Sequence, residues 1–212
     1  MKTYDCVLFD WDGCLARSID VWIEASEIIL KRHGYAASRQ KILGCLGRKG
    51  IMRELEVPQS DACQNELIAL ASAMLRQVTL YEGAADCLAR LSTTKRLAIV
   101  SDCRREILSE ALLHHKLTPF FDTTIARGEP GALKPHPAGI HQALRKLRTP
   151  AHRALMVGDT DKDLFAARRA GIDSVFFCPP AHEAYYNITR WRSMATYAVR
   201  SHDELAQLVT AG

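Results

Sequence analysis

The stretch "VLFDWDGCLARS", residues 7–18, begins as a short hydrophobic run and ends on two acids, Asp10 and Asp12, followed by Gly13. A short apolar run bounded by turn residues predicts a buried β-strand. One aspartate before Gly13 is enough to make a turn, because Asp and Gly are common turn residues. The second acid at the end of the same strand therefore indicates a chemical site.

Strand-like runs rich in Val, Ile and Phe recur along the chain, and most of them are separated by segments with helical spacing. The runs are "CVLFD", "RLAIVSD", "TTIAR", "ALMVGD", "DSVFFC" and "TYAVR". Strands that alternate with helices form parallel sheets covered on both faces. The sequence therefore predicts an α/β fold, a Rossmann-like three-layer sandwich around a mostly parallel sheet.

Three of these runs end on polar residues. The first ends at Asp10, the second at Ser101 and Asp102, and the fourth at Asp159. In an open parallel sheet the ligand site lies just beyond the carboxyl ends of the strands. We therefore expect these side chains to converge although they are far apart in sequence.

The alternation stops between about residues 17 and 80, where one helical pattern follows another. We predict an all-helical cap domain over residues 17–80, inserted into a core domain of residues 1–16 and 81–212, with "TLYEG" (79–83) as the return hinge. The first helix should end near Gly34, because glycine readily adopts the left-handed backbone conformation that terminates a helix. Its predicted apolar face consists of Val21, Trp22, Ala25, Ile28 and Ile29.

Composition narrows the function classes. The 212 residues carry a formal charge of +4, which fits an anionic ligand, but the basic residues are interleaved with acids, and this does not favour nucleic acid. No apolar run approaches the roughly 20 residues of a membrane span, and the first strand is too early and too acidic for a signal peptide, so we expect a cytoplasmic protein. The 7 cysteines include no C-x-x-C pair, which favours reduced structural thiols.

The segments "DWDGCL", "VSDC", "LKPHP" and "VGDTDKD" together suit the hydrolysis of a phosphate monoester. Asp10 could attack phosphorus, while Asp12 could protonate the leaving oxygen and then activate water. Alternate residues of a strand share a face, and the turn at Gly13 would let Asp12 swing toward the leaving group.

Carboxylates alone would repel a phosphate dianion, so the site needs positive charge. A cation held by Asp10, Asp159 and a backbone carbonyl would supply it, and an all-oxygen ligand set suits Mg²⁺. Lys134 would bridge Asp10 and the phosphate, and Ser101 would donate its hydroxyl, with backbone N–H groups after it. Each motif alone is commonplace, since D-x-D-G is more often a turn, but all four in this order at strand ends favour a site.

These motifs resemble those of the haloacid dehalogenase superfamily, in its phosphatase branch with a helical cap and a phosphoglycolate-phosphatase-like architecture. "FDWDGCLARS" resembles the first motif, F-D-x-D-G-T-L-x-D-S, and "LAIVSD", "ALKPHP" and "ALMVGDTDKDLFAARRAGI" resemble the other three. The likeness runs nearly from end to end. It implies that Asp10 is the nucleophile, that Asp12 is the general acid and base, and that Mg²⁺ is the cofactor.

The resemblance also assigns the supporting residues. Phosphate would be bound by Ser101, Lys134 and the backbone N–H of Asp102, and Mg²⁺ by Asp10, Asp159 and the carbonyl of Asp12. Asp163 would orient Lys134 or a metal-bound water. Asp102 stands where Asn is more frequent, so its carboxylate must be turned away from phosphate or protonated.

Two segments each allow two interpretations. "LGCLGRKGIMREL", residues 43–55, is either a helix–helix turn with a solvated charged end or a loop whose Arg48 or Lys49 contacts the substrate. Residues 178–191, with Tyr185, Tyr186 and Trp191, are interpreted as a packed surface loop rather than a partner site.

The leading hypothesis is therefore a Mg²⁺-dependent phosphatase acting on a small phosphorylated metabolite, as a monomer or homodimer. The alternatives are a phosphomutase or an inorganic pyrophosphatase of the same superfamily, and a non-catalytic binding module that retains the fold. Dehalogenation is disfavoured, because it would leave Asp12, Lys134 and Asp159 without a function.

Overall fold

The computed structural model describes residues 2–46, 50–128, 133–184 and 188–211. Six strands form one sheet in the order β3-β2-β1-β4-β5-β6, and every neighbouring pair is parallel. The strands are β1 Cys6–Phe9, β2 Arg96–Arg104, β3 Thr123–Arg127, β4 Ala154–Gly158, β5 Asp173–Phe177 and β6 Tyr197–Val199. All six predicted strands are confirmed.

Helices cover both faces of the sheet. One core contains Val7 and Phe9 of β1, and the opposite core contains Cys6 and Leu8. Because alternate strand residues point to opposite faces, β1 is buried on both sides, and the predicted three-layer sandwich is confirmed. The covering helices on the first face are α5 Ala84–Ser92, α6 Arg105–His114 and α10 His202–Thr210, and those on the second are α7 Ala138–Leu147 and α8 Asp161–Ala170.

The described part of the chain between β1 and α5 contains four helices, and we call residues 17–80 the helical insert. They are α1 Ser18–Arg32, α2 Arg39–Leu43, α3 Ile51–Glu54 and α4 Ser60–Leu75. These helices bury a hydrophobic cluster of their own that includes Ile23, Met52 and Leu67. The insert therefore has a separate core, as the helical spacing of its sequence predicts.

The apolar face predicted for α1 is partly wrong. Ala25 and Ile29 are buried, but Ile28 is 38% exposed and Ile23 is fully buried instead. The buried face is thus rotated by part of a turn from the predicted one. The helix ends at Arg32, and Gly34 has a positive φ of +78°, as predicted for its stop.

The two chain segments that enter and leave the insert pair with each other. The Arg17 N–H donates to the Thr79 carbonyl at 2.9 Å, and the Tyr81 N–H donates to the Leu15 carbonyl at 2.9 Å. These two bonds flank an isolated antiparallel bridge between Ala16 and Leu80. The insert is therefore joined to the sheet through one short paired segment.

The segment after β5 packs on the edge of the sheet. It contains a 3₁₀ turn at Pro180–Ala184 and a short helix, α9, at Ile188–Met194. The Trp191 ring lies edge-on to Phe176, with centroids 5.9 Å apart. The packing predicted for this segment is confirmed at Trp191, whereas Tyr185 and Tyr186 lie outside the described residues.

All seven cysteines are buried free thiols, as the absence of a C-x-x-C pair predicted. Among the described residues, no helix combines the length and apolar character needed to cross a bilayer.

His202, the first residue of α10, is 1% exposed and packs against Phe177, with ring centroids 4.5 Å apart and ring planes inclined by 40°. Burial lowers the pKa of His202 from 6.5 to about 4, although the Glu82 carbonyl opposes the shift. Between pH 4 and 6.5 the unfolded chain therefore binds more protons at this residue than the folded chain does. The neutral ring stabilises the fold fully above pH 6.5, and this contribution is lost as the pH falls toward 4.

We predict that His202→Gln flattens the acid side of the stability profile. The wild-type free energy of unfolding should fall more steeply between pH 6.5 and 4 than that of the variant, by up to about 3 kcal/mol. Urea unfolding at several pH values measures both slopes, with His141→Gln as a control at an exposed histidine. Equal slopes in the wild type and His202→Gln would contradict the prediction.

Candidate active site

Asp10 and Asp159 follow two neighbouring strands of the sheet. Asp10 comes directly after β1, and its N–H donates to the Val157 carbonyl of β4 at 2.9 Å. Asp159 comes directly after β4. Asp10 is 5% exposed, Asp159 is 1% exposed, and Ser101 of β2, the other neighbour of β1, is 1% exposed. The structure thus brings these three predicted residues to the same carboxyl edge.

Lys134 lies between two buried carboxylates. Its Nζ is 2.5 Å from Asp10 Oδ1 and 2.6 Å from Asp163 Oδ1, and its side chain is 4% exposed. Asp163, in the first turn of α8, also accepts hydrogen bonds at Oδ2 from the Thr160 N–H at 3.1 Å and from the Thr160 hydroxyl at 2.8 Å. Asp163 is therefore fixed at both oxygens, and it holds the lysine against Asp10.

The charges of this group depend on each other. Burial opposes the charge of Lys134, but Asp10 and Asp163 outweigh it and raise the lysine pKa. Burial raises the pKa of Asp10, Lys134 lowers it, and Asp163 and Asp159 raise it further. The lysine therefore stays charged, and at Asp10 the burial that opposes a negative charge is countered by Lys134.

The acidic residues fit a divalent cation. Carboxylate oxygens of Asp10, Asp159 and Asp163 lie within 4.8 Å of one another, and all three residues are buried. Three ionised carboxylates beside one ammonium leave two negative charges in the cluster, and a divalent ion with oxygen ligands matches both the charge and the donors. Both oxygens of Asp163 already have partners, Oδ1 in Lys134 and Oδ2 in Thr160. Asp10 and Asp159 are therefore the side chains best placed to bind the cation.

Gly13 fits tightly against Asp159. Its φ is +76°, and a Cβ added to it would overlap the Asp159 carboxylate. The Gly13 N–H donates to the Ala16 carbonyl at 2.9 Å, which closes the turn after Asp12. Glycine is therefore required here for both its conformation and its size.

Asp12 differs from Asp10 in its surroundings. It is partly exposed, and it lies one residue before the Gly13 turn. Burial raises the pKa of Asp12, while the Ser18 hydroxyl, Lys134 and Arg127 lower it. A raised pKa keeps a larger share of this carboxyl protonated, and a protonated carboxyl can act as a proton donor.

The segment after Val100 bulges out of the sheet. Val100 pairs with Ile125 and Arg104 pairs with Arg127, so residues 101–103 lie opposite the single residue Ala126. Within this bulge the Cys103 N–H donates to the Ser101 hydroxyl oxygen at 3.0 Å. The serine hydroxyl therefore accepts one hydrogen bond and keeps its own proton available for a ligand.

The Asp102 carboxylate is turned toward the backbone of Lys134. Its Oδ1 accepts a hydrogen bond from the Lys134 N–H at 3.0 Å. This contact directs the Asp102 carboxylate toward a hydrogen-bond donor, while its orientation relative to a bound phosphate stays a prediction. It also ties the bulge to the lysine loop, in which the Lys134–Pro135 peptide bond is cis. Binding of phosphate by the Asp102 N–H stays a prediction.

Sequence reasoning missed Arg127. The Arg127 Nε donates to the Asp102 carbonyl at 2.8 Å. The sequence did contain a signal for Arg127. The strand-like run "TTIAR" ends on this polar residue, just as two other runs end on Asp10 and Asp159. Arg48 and Lys49, the predicted substrate contacts of the insert, lie outside the described residues.

An open parallel sheet with buried acids and a lysine at its carboxyl edge defines an α/β enzyme whose site lies beyond the strand ends. The family model described as haloacid dehalogenase-like hydrolase matches residues 7–177. The chain belongs to this family, and it is a hydrolase of the phosphatase type.

The similar proteins carry two kinds of name. The chain is 30% identical to the pyrophosphatase PpaX of Bacillus pumilus, over 80% of this chain and 81% of that protein. It is 28% identical to a phosphoglycolate phosphatase of Colwellia psychrerythraea, over 82% of this chain and 84% of the relative. A Deinococcus radiodurans hydrolase of the same family, solved with bound phosphate and sodium, superposes with a TM-score of 0.86 at 24% identity and covers 100% of this chain and 97% of its own.

We predict that Gly13→Ala destabilises the protein more than Gly34→Ala does. Both substitutions put a side chain at a positive φ, but a Cβ at Gly34 meets nothing within 4 Å, whereas one at Gly13 overlaps Asp159. The extra steric cost should be about 1–3 kcal/mol. Urea unfolding of the two variants measures the difference, and equal losses would refute the close approach of Gly13 to Asp159.

Proposed function

We propose that the protein is a Mg²⁺-dependent phosphomonoesterase that acts on a small phosphorylated metabolite through an aspartyl-phosphate intermediate. The contact that carries this proposal is the one between Lys134 Nζ and Asp10 Oδ1, at 2.5 Å in a buried site. An ammonium held against a carboxylate suits a nucleophile that must meet an anionic phosphoryl group. The phosphate bound to the Deinococcus radiodurans relative supports this chemistry.

In the first step an oxygen of Asp10 attacks phosphorus, and the bond from phosphorus to the leaving oxygen breaks. Asp12 gives its proton to that oxygen, so the leaving group departs as a neutral alcohol. In the second step Asp12 accepts a proton from water as the water oxygen attacks phosphorus. The bond between phosphorus and Asp10 then breaks, which releases phosphate and regenerates the carboxylate.

Positive charge is supplied from two sides. Lys134 stabilises the phosphoryl oxygens from its position against Asp10, and the Ser101 hydroxyl donates to another of them. Asp10, Asp159 and the carbonyl of Asp12 would hold Mg²⁺, which when bound supplies positive charge to the phosphoryl group. Asp163 acts through Lys134 and fixes the direction of its Nζ.

We also propose that the helical insert is a cap domain, with its boundaries at residues 16/17 and 80/81. The pairing of Ala16 with Leu80 supports these boundaries, because it lies at the centre of the short segment where the two connecting segments pair. A cap over the carboxyl edge would exclude water during phosphoryl transfer and select the leaving group. The cytoplasmic location, the lack of nucleic-acid binding and the monomeric or homodimeric state stay predictions.

We predict that Asp10→Asn lowers the turnover of p-nitrophenyl phosphate by at least about 1,000-fold, because the amide is a poor nucleophile. Removal of Mg²⁺ by a chelator should abolish the wild-type activity, and added Mg²⁺ should restore it. A spectrophotometric assay of nitrophenol release measures both effects.

Asp86→Asn, at an exposed acid in the first turn of α5, is the matched control and should retain wild-type turnover. Full activity of Asp10→Asn, or turnover that survives complete removal of divalent cations, would overturn the proposed mechanism.

We predict that Asp12→Asn separates the two chemical steps. Nitrophenolate is a good leaving group that needs little protonation, so Asp10 should still be phosphorylated, but no base remains to activate water. Stopped-flow absorbance should show a burst of nitrophenol, close to one equivalent per enzyme, followed by slow turnover. With an alkyl phosphate the same variant should show no burst, and identical kinetics on both substrates would argue against Asp12 as the proton donor.

Pyrophosphate hydrolysis is the second candidate activity, because the Bacillus pumilus relative is named a pyrophosphatase. The same Asp10 attack applies, with phosphate in place of an alcohol as the leaving group. Ratios of kcat/KM for pyrophosphate and for a panel of phosphorylated metabolites decide between the two. A phosphomutase would instead yield isomerised sugar phosphate without free phosphate.

A further inference from the structure

Arg127 is the last residue of β3, and it is anchored at the edge of the candidate site. Its Nε donates to the carbonyl of Asp102, the central residue of the bulge that follows Val100. The Asp102 carboxylate in turn accepts the N–H of Lys134. Asp102 therefore connects the Arg127 guanidinium to Lys134, which contacts Asp10.

The rest of the Arg127 guanidinium is available for a ligand. Arg127 is exposed. Its side chain makes one hydrogen bond to the described residues, the bond from Nε. Nη1 and Nη2 therefore have no hydrogen-bond partner among the described residues. A guanidinium fixed by Nε can still present these two nitrogens as a fork, the geometry that binds carboxylate and phosphate oxygens in pairs.

Arg127 ends β3, on the opposite side of β1 from β4 and Asp159, and it bonds to Asp102, the residue after the predicted phosphate ligand Ser101. Its charge lowers the pKa of Asp12, the proposed proton donor to the leaving oxygen, as that of Lys134 does. Lys134 is buried and committed to Asp10 and Asp163, whereas Arg127 is exposed. The two cations thus differ in what they can bind: Lys134 faces the phosphoryl group, and Arg127 is free to meet a second anion.

We infer that Arg127 is a specificity residue that binds an anionic group on the leaving side of the substrate, a carboxylate or a second phosphoryl group. The inference rests on the proposed phosphatase function and narrows its substrate class. A leaving group with a negative charge needs a cation beside it, because the site already holds the carboxylates of Asp10, Asp159 and Asp163. The anchored guanidinium supplies that cation, and it selects against substrates with a neutral leaving group.

The test compares two substrates of nearly the same size. Phosphoglycolate carries a carboxylate on its leaving alcohol, and ethyl phosphate carries a methyl group at the same position. The wild-type enzyme with Mg²⁺ should show a kcat/KM for phosphoglycolate at least about tenfold above that for ethyl phosphate. In Arg127→Gln this ratio should fall to near one, mainly through a higher KM for phosphoglycolate, and Arg127→Lys should keep part of it because the charge remains.

Pyrophosphate serves as a third substrate and distinguishes the two kinds of anion. A loss confined to phosphoglycolate assigns Arg127 to a carboxylate, and a loss confined to pyrophosphate assigns it to a phosphoryl group. Arg104→Gln is the matched control, since Arg104 is an exposed arginine that pairs with Arg127 in the sheet register. This control should leave the substrate ratio at its wild-type value.

Three results would overturn the inference. The first is an unchanged ratio in Arg127→Gln, and the second is a wild-type enzyme that shows no preference for either anionic substrate. The third is an equal loss on all substrates, which would mean that Arg127 serves only to hold the Asp102 carbonyl. Failure of the proposed function itself is recognised separately, by a wild-type enzyme that hydrolyses no phosphate ester with Mg²⁺ present.

Discussion

A buried ammonium between two buried carboxylates is the interaction on which the site depends. Lys134 is brought to Asp10, after β1, and to Asp163, in the first turn of α8, by a loop that follows β3. Burying these charges is costly, and the cost is offset only when all partners are in place, because removing one leaves an unpaired charge in the interior. The sheet order that puts β1 between β2 and β4 is therefore a condition for the site as well as for the fold.

The same charges explain why the site suits a cation and a phosphate together. With Lys134 alone, the cluster of Asp10, Asp159 and Asp163 would carry excess negative charge and repel a phosphate dianion. A divalent cation would neutralise that excess, and it would also counter the burial that raises the pKa of Asp10. In the proposed mechanism Asp10, the cation and the substrate therefore depend on one another, because positive charge favours the ionised carboxylate and reduces its repulsion of phosphate.

Much of this arrangement could be predicted from the sequence, because it follows from where strands end. Asp10, Ser101 and Asp159 lie at one edge since parallel strands bring their carboxyl ends together. The details set by packing could not be predicted in the same way. The buried face of α1 centres on Ile23 rather than Ile28, because helical periodicity fixes a face only to within part of a turn. The direction of the Asp102 carboxylate depends on a backbone N–H thirty-two residues away, which no local pattern reveals.

The two halves of the candidate site are built from different parts of the fold. The phosphoryl side rests on the central strands and on Lys134, whose partners are fixed by the buried sheet and by α8. The leaving-group side begins at Asp12, which pairs with Ala16 just before the chain enters the insert and which contacts the hydroxyl of Ser18, the first residue of α1. The proton affinity of Asp12 therefore depends in part on Ser18, a residue of the insert. If the proposed roles hold, such a division would keep the phosphoryl chemistry constant while changes in the insert and in Arg127 alter which leaving group is accepted.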